Sequence, residues 1–294
     1  MSKSFRYSFL DRLVFYLSYF FYKSILPLEV RKPKWKLWWY EWKYSLAKFK
    51  DYNINIPWHN DIDRISTRFG DFKIRVNTSD AANVSPAFER RDQNYLLKTI
   101  NELCRKNKKV LFLDIGGDLG SYSVLVGNRF KNEQVSVKCF EPVPDSGELI
   151  KENITLNGLE QKVDLYQVAL LNNDNPEARI TLDIGTPGSS SMKSSTAENI
   201  REITVKAHKL DTLLADEVPG YDALVCKIDV EGVEHEVLLG AEKVIHSGKE
   251  IYVMLEDFIN PSIIPFMEKN GWSFLAKVTS YNSWWYFGGG DDPS

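Results

Sequence analysis

The stretch LDIGGDLG, residues 113–120, decides the fold because it joins the end of a buried strand to a glycine turn. The apolar run 109–115 predicts a β-strand, and residues 120–130 predict a helix. Gly116 and Gly120 allow the backbone to approach a ligand closely, and the start of a helix offers unpaired N–H groups. The spacing D-x-G-x-x-x-G differs from the dinucleotide pattern G-x-G-x-x-G, which disfavours an NAD-linked oxidoreductase.

Strand-like and helical segments alternate through the rest of the chain. Further strands are predicted at 135–141, 163–169, 223–230 and 250–256, and further helices at 86–106, 144–157 and 233–246. This alternation predicts an α/β fold, a parallel sheet with helices on both faces. Other expected features are a short hairpin over 64–76, added strands at 178–184 and 201–208 joined by the Gly/Ser-rich loop 185–195, and a terminal antiparallel hairpin of 272–279 and 283–287.

A carboxylate stands at the tip of the second predicted strand. The strand ends in Cys139-Phe140-Glu141-Pro142, and Glu141 lies 21 residues after Gly120. A carboxylate in this position can accept hydrogen bonds from both ribose hydroxyls of an adenosine-containing ligand. The glycine turn and Glu141 together therefore favour a nucleoside ligand.

Charged residues also follow the strand predicted at 223–230. The segment 227–232, KIDVEG, places Lys227, Asp229 and Glu231 within five residues, and Glu256 ends the next strand. Ligands of open α/β sheets bind at the carboxyl ends of the strands. Charges inside an apolar run would be costly without a function, so these residues are candidates for catalysis.

Five sequence blocks resemble the FkbM family of S-adenosylmethionine-dependent methyltransferases. They are DIGGDLGSYS (114–123), CFEPVPDSGELIKENITLNGL (139–159), VALLNND (168–174), VKAHKLDTLL (205–214) and KIDVEGVEHEVLLGA (227–241). The resemblance covers roughly residues 85–287. The family's usual turn reads DIGANIG, and this chain has Gly117-Asp118-Leu119 in place of Ala-Asn-Ile.

The resemblance implies a Rossmann-like seven-stranded class I methyltransferase sheet and methyl transfer to oxygen, typically a sugar hydroxyl of a glycan, a lipid-linked saccharide or a natural product. It implies S-adenosylmethionine as the cofactor. The cofactor-binding residues that it implies are Asp114, Gly116, Gly117, Gly120 and Tyr122 near the turn, Glu141 and Pro142 at the ribose, Val168 and Ala169 beside the adenine, and Glu89 at the methionine moiety.

A sugar hydroxyl is a weak nucleophile until its proton is removed, so a base is expected. Asp229 is the first candidate, and His235, one helical turn after Glu231, is the second. Lys227 either orients Asp229 or extends its charged end to solvent. We assign no metal ligand, although Asp229, Glu231 and Glu256 could form an oxygen site for a cation.

The first fifty residues differ from the remainder in charge and composition. They carry a formal charge of +8 against −11 for the rest, and they hold 16 of the 38 aromatic side chains. Trp35, Trp38, Trp39 and Trp42 share one predicted helical face among lysines. Such a face either lies on a membrane surface or packs against the catalytic domain or a second copy in a homodimer. The uncharged run from Leu13 to Tyr22 is too short for a transmembrane helix.

These differences predict a helical extension at 1–63 and a methyltransferase domain at 64–294, with a hairpin and helix at 64–108 and a Rossmann-like core at 109–287. Cys104, Cys139 and Cys226 are far apart, which argues against a disulfide framework and for a reducing, cytoplasmic location, peripheral at the inner membrane face if the extension binds lipid. The charge of −11 argues against a nucleic-acid substrate. The alternative to an enzyme is a methyltransferase-fold scaffold or membrane-attached adaptor.

Overall fold

The computed structural model describes residues 4–6, 63–75, 80–84, 89–183, 190–191, 200–279 and 281–288. The chain divides into two units, Met1–Phe88 and Glu89–Ser294. The Trp face and almost all of the predicted helical extension lie outside the described residues, so those expectations stay predictions. The same holds for the predicted boundary at residue 63.

The described part of the first unit is a small sheet. Strand β1 (Ser4–Arg6) pairs in parallel with β2 (Arg64–Ser66), which pairs antiparallel with β3 (Asp71–Lys73). The predicted hairpin is confirmed over its described residues. A single turn of helix, α1 (Asp80–Asn83), follows.

A seven-stranded sheet forms the framework of the second unit. Five strands run parallel in the spatial order β12-β11-β4-β5-β6, and β14 and β13 complete the sheet beside β12. Their bounds are β4 (Val110–Ile115), β5 (Val135–Phe140), β6 (Val163–Tyr166), β11 (Ala223–Ile228), β12 (Glu250–Glu256), β13 (Ser273–Lys277) and β14 (Asn282–Phe287). Strand β14 is antiparallel to both neighbours, which confirms the terminal hairpin.

The central strands form because their apolar runs are buried on both faces of the sheet. Every residue of β4 and β11 is buried, including Leu111, Leu113 and Leu224 at 0% exposure. Full burial of one leucine or valine stabilises the fold by roughly 1.5–3 kcal/mol. These strands therefore form a rigid base for the polar residues at their ends.

Three helices of the second unit match the segments predicted at 86–106, 120–130 and 144–157, two lie within 233–246, and those at Leu210–Leu214 and Ile263–Lys269 were not predicted. The helices are α2 (Arg90–Arg105), α3 (Ser121–Arg129), α4 (Pro144–Leu156), α5 (Leu210–Leu214), α6 (Glu234–Leu239), α7 (Glu242–Ile245) and α8 (Ile263–Lys269). No helix among the described residues is long and apolar enough to cross a bilayer.

The prediction of one helix over 233–246 is wrong, because the chain breaks between α6 and α7. A Cβ atom at Gly240 would lie 2.0 Å from the carbonyl oxygen of Leu171, so the chain passes tightly here. The Gly240 carbonyl accepts a hydrogen bond from the backbone of Asp211, and the Asp211 carboxylate accepts N–H groups of Lys243 and Val244 at 2.9 and 3.0 Å. The Asp211 carboxylate thus caps the first turn of α7 and marks it as a separate helix.

A four-stranded sheet holds the added strands, in the order β7-β10-β8-β9. Its strands are β7 (Ala169–Leu170), β8 (Asn175–Asp183), β9 (Ser190–Ser191) and β10 (Ile200–His208). The run predicted as one strand over 163–169 therefore divides between two sheets, because Ala169 pairs with Ala207. Within the predicted loop 185–195, Ser190 and Ser191 pair with β8, and the other residues lie outside the described part.

The register of the main sheet aligns the functional ends of three strands. Ile228 of β11 lies opposite Ile115 of β4 and Leu255 of β12. The next residues along these strands are Asp229, Gly116 and Glu256, so all three start from one edge of the sheet. This edge is the carboxyl edge, the usual ligand-binding side of such sheets.

Candidate active site

The glycine turn lies directly against the end of β11. Gly116 has φ +84°, and a Cβ atom there would lie 1.8 Å from the carbonyl oxygen of Asp229. A Cβ atom of a side chain at Gly117 would lie 2.5 Å from Cys139 Sγ, and Gly120 has φ +79°. The turn therefore requires glycine at 116 for space as well as for conformation.

Asp114, at the end of β4, is 1% exposed. Its Oδ2 accepts hydrogen bonds from the backbone N–H and the hydroxyl of Ser123, at 2.9 and 2.6 Å. Its Oδ1 is buried and has no hydrogen-bond partner among the described residues. Burial raises the pKa of Asp114, while the nearby Lys227 ammonium opposes that rise. A buried acceptor without a partner fits a ligand donor or cation at the turn.

Glu141 follows β5 and is held by the backbone. Its Oε2 accepts the N–H of Asp118 at 2.8 Å, and its Oε1 accepts the N–H of Val143 at 2.9 Å. Asp118 adopts the left-handed φ of +49°, and its N–H points to Glu141 at the end of β5. The carboxylate is therefore fixed at the tip of the strand, between the glycine turn and half-buried Pro142.

Lys227 occupies the centre of the site, with its side chain 7% exposed. Its Nζ donates to Asp229 Oδ2 at 3.0 Å and to the Gly116 carbonyl at 3.3 Å. Burial alone would lower the pKa of Lys227, but Asp229, Asp114 and Glu89 together raise it above its ordinary value. The charged ammonium thus bonds Asp229 directly, which supports the orienting role over extension to solvent.

Glu89 and Tyr122 adjoin this ammonium. Lys227 Nζ lies 5.2 Å from the centre of the Tyr122 ring, a cation–π distance. The Tyr122 hydroxyl donates to Glu89 Oε2 at 2.7 Å. Burial and the Asp229 carboxylate raise the pKa of Glu89. The structure thus brings Glu89 next to Lys227 and Asp229 at the carboxyl end of β11.

Three carboxylates meet at the ends of β11 and β12. Oxygens of Asp229, Glu231 and Glu256 all lie within 4.8 Å of one another. Burial and then Asp229 raise the pKa of Glu231 to about 7 and that of Glu256 to about 9. Glu231 also has φ +55°, a conformation that non-glycine residues rarely adopt.

His235, the second candidate base, is held by other side chains. Asn260 Nδ2 lies 3.0 Å from His235 Nδ1, and Ser262 donates to Asn260 Oδ1, which fixes the amide so that its NH₂ group faces the ring. This hydrogen bond ties the His235 ring to the loop after β12. Its ring also packs edge-on against Phe266, with ring centres 4.9 Å apart. These contacts favour the carboxylates over His235 as the base.

The described contacts of Val168 and Ala169 are apolar. Val168 packs against the main core, and Ala169 is 6% exposed among Ala178, Val205 and other residues of the smaller sheet. Their predicted place beside the adenine stays a prediction.

Sequence reasoning missed Ser123 and Asn260. Ser123 supplies both donors to Asp114, and Asn260 bonds His235 and, at 3.4 Å, the buried Glu234. The position of Ser123 in the first turn of a helix after a glycine turn could have indicated its role. Asn260 lies in a loop, where no periodicity marks a partner.

Comparison with known proteins identifies the family. The model of the methyltransferase FkbM domain matches residues 114–274, more than half of the 294 residues. This chain belongs to the FkbM methyltransferase family. It is therefore a methyltransferase with S-adenosylmethionine as its cofactor. No protein with a curated description matches the sequence.

Solved structures show low sequence identity to this FkbM chain. A methyltransferase FkbM from Methylobacillus flagellatus KT is 12% identical, with a TM-score of 0.39; the match covers 60% of this chain and 42% of that one. A putative S-adenosylmethionine-dependent methyltransferase from Methanococcus maripaludis is 14% identical, with a TM-score of 0.39, and the match covers 73% of this chain and 93% of the other.

The site residues fit the cofactor. S-Adenosylmethionine carries a sulfonium cation and a ribose with two hydroxyls, and it supplies an electrophilic methyl group when bound. Asp114 offers a buried acceptor whose Oδ1 has no partner among the described residues, Glu141 would accept the ribose hydroxyls from the tip of β5, and the crowded turn at Gly116 brings the backbone close. An acidic surrounding favours a cation over a neutral competitor.

Proposed function

We propose that this FkbM methyltransferase transfers the methyl group to oxygen, and that the acceptor is a sugar hydroxyl of a glycan, a lipid-linked saccharide or a glycosylated natural product. The observation that carries the proposal is the group of three carboxylates beside the glycine turn. A hydroxyl needs a proton acceptor to become a nucleophile, and a base works best when its pKa lies near the working pH. The pKa of Glu231, about 7, lies near the working pH, so Glu231 can pass on the proton that its neighbour Asp229 accepts.

We assign separate roles in proton transfer to Asp229 and Glu231. Asp229, held at 3.0 Å by Lys227, accepts the hydroxyl proton, and Glu231 tunes this proton transfer as its close neighbour. Bound S-adenosylmethionine, held by Asp114, Gly116 and Glu141, would supply the methyl group to the acceptor oxygen in an in-line displacement that leaves S-adenosylhomocysteine, while Asp229 keeps the proton. The products are the methyl ether, S-adenosylhomocysteine and the protonated carboxylate.

The test measures transfer of a labelled methyl group to a panel of methyl glycosides, with phenols as the comparison panel. Asp229→Asn should lower kcat about 10²- to 10⁴-fold, which is the usual contribution of a positioned base. It should leave the affinity for S-adenosylhomocysteine, measured by calorimetry, within a few-fold. Glu148→Gln, an exposed change on α4, is the matched control and should keep full activity.

The pH profile tests the role of Glu231. Activity that needs its ionised form rises with pH through about 7. Glu231→Gln should remove that rise. Full turnover in Asp229→Asn would contradict the assigned base, methylation of phenols alone would contradict the sugar acceptor, and cofactor binding without any methyl transfer would favour the scaffold alternative.

We also propose that residues 1–50 attach the enzyme to an anionic membrane surface. Their charge of +8 and the Trp spacing support this, and each basic residue near anionic lipid contributes about 1 kcal/mol. The full chain should pellet with vesicles that contain phosphatidylglycerol and less with phosphatidylcholine alone. Equal pelleting with both vesicle types would contradict the role of the positive charge. No pelleting with either type would contradict attachment and favour packing or a homodimer, which a mass measurement would detect.

A further inference from the structure

Three of the five exposed large apolar side chains among the described residues lie in two neighbouring loops. Phe258 is 62% exposed and Ile259 is 49% exposed in the loop after β12, and Tyr281 is 37% exposed just before β14. The rings of Phe258 and Tyr281 contact each other edge to face, with centres 5.2 Å apart. Exposed apolar side chains that cluster in this way mark binding surfaces more often than singly scattered ones do.

Both loops are anchored, so the aromatic pair has a fixed position. The backbone N–H of Asp257 donates to the Tyr281 carbonyl at 3.0 Å, which joins the loops directly. The buried Asp257 carboxylate forms an ion pair with Lys277. At the other end of the first loop, Asn260 bonds His235.

The pair also adjoins, in chain position and strand register, the end of β12 that carries Glu256. Phe258 follows Glu256 by two residues, and Glu256 lies opposite Asn282, the neighbour of Tyr281. The surface thus combines aromatic rings with carboxylate oxygens at one edge of the sheet. A sugar ring has the matching chemistry, because one face presents C–H groups that pack on aromatic rings and its rim presents hydroxyls that donate to carboxylates.

We propose that Phe258 and Tyr281 form the platform on which the sugar ring of the acceptor stacks. The inference rests on the proposed function, since it requires a saccharide acceptor at the carboxylates. In this arrangement the contacts with the two aromatic rings, together with the carboxylates, select the acceptor and position its hydroxyl.

The experiment compares acceptor KM and kcat for the full-length chain with the methyl glycoside that the wild type methylates best. Phe258→Ala and Tyr281→Ala should each raise KM about tenfold, the effect of losing an interaction of about 1.4 kcal/mol, with kcat within about twofold. Phe258→Trp should restore a KM near that of the wild type, because it keeps an aromatic face. The affinity for S-adenosylhomocysteine should not change in any variant.

Phe274→Ala is the matched control. Phe274 is 54% exposed and contacts Trp285 edge to face at 5.2 Å, but it lies in β13, opposite the middle of β14. It should leave KM unchanged. If the wild type methylates a glycoside and Phe258→Ala behaves like Phe274→Ala, the platform is wrong and the sugar acceptor stands. If no glycoside is methylated, the sugar acceptor is wrong, and the platform with it.

Discussion

The two ends of strand β12 carry the same residue type in opposite surroundings. At the amino end, Glu250 pairs with Lys108 at 2.6 Å. At the carboxyl end, Glu256 faces Asp229 and Glu231, and burial with these like charges raises its pKa to about 9. One glutamate is compensated by a cation, whereas the other is held among groups that repel its charge.

The same contrast extends along both edges of the sheet. At the amino edge, the Asp222 carboxylate accepts the backbone N–H of Lys109 at 2.7 Å, so it too is satisfied. At the carboxyl edge, Lys227 faces Asp114, Asp229 and Glu89 together. The amino edge thus serves stability, while the carboxyl edge concentrates negative charge, which a cationic cofactor and a proton-donating acceptor would relieve.

The largest expected effect is on Lys227, because its removal would leave the buried Asp114 and the partly exposed Asp229 and Glu89 without a cation. Lys227→Met should lower the free energy of unfolding by about 3–5 kcal/mol at pH 8, as for other broken buried ion pairs. Lys108→Met, at the partly exposed amino edge, should cost about 0–1 kcal/mol. Urea denaturation of both variants measures the difference, and equal losses would show that the two edges do not differ.

The second-largest effect distinguishes two costs of replacing Gly116: steric crowding against β11 and the strain of its backbone conformation. Gly116 and Gly248 have similar φ angles, +84° and +77°, at the carboxyl and amino edges. A Cβ atom at Gly248 would meet nothing within 4 Å, whereas at Gly116 it would meet the Asp229 carbonyl at 1.8 Å. Each change to alanine should cost about 1–2 kcal/mol from φ alone.

Gly116→Ala should additionally displace the turn, and we expect it to weaken binding of S-adenosylhomocysteine at least 100-fold, about 2.7 kcal/mol. Gly248→Ala should bind it like the wild type. Calorimetric titration of both variants gives the result. Wild-type affinity in Gly116→Ala would show that the close approach of the turn to β11 does not shape the cofactor site.

The sequence predicted the framework of this edge well. Strands β4, β5 and β11, whose ends carry Asp114, Glu141 and Asp229, are short apolar runs bounded by polar residues. Such runs indicate buried strands from the sequence alone. The glycine turn was also predictable, because its conformational demand is local. Family resemblance supplied Glu89, whose contact with Tyr122 no local pattern indicates.

Other features depended on tertiary packing. The break at Gly240 follows from the close approach of Leu171, and the engagement of His235 follows from Asn260, 25 residues further on. Periodicity reports which face of an element is buried, but not which partner it meets. The proximity of Glu256 to Glu231 likewise depends on strand register, which a single sequence does not determine.

The smallest expected effect is the pH dependence of stability at the two ends of β12. Unfolded chains release the Glu256 proton near the ordinary pKa of 4.5, whereas the folded protein holds it until about pH 9. The folded state therefore binds more protons between these values, and its stability falls as pH rises through this window. Glu256→Gln removes the penalty, so the variant should gain stability over the wild type as pH rises from 5 to 9.

Because solvent screens the partly exposed Glu256, we expect a gain of about 1.4 kcal/mol, the equivalent of one pKa unit, or about 2–3 °C in Tm for a protein of this size. Glu250→Gln should instead show a small loss, up to about 1 kcal/mol, that added salt reduces. Thermal denaturation of both variants at pH 5, 7 and 9 makes the comparison. If Glu250→Gln gained as much stability at pH 9 as Glu256→Gln, the carboxyl edge would not be the place where the fold holds uncompensated charge, and the assignment of the base to this edge would lose its electrostatic support.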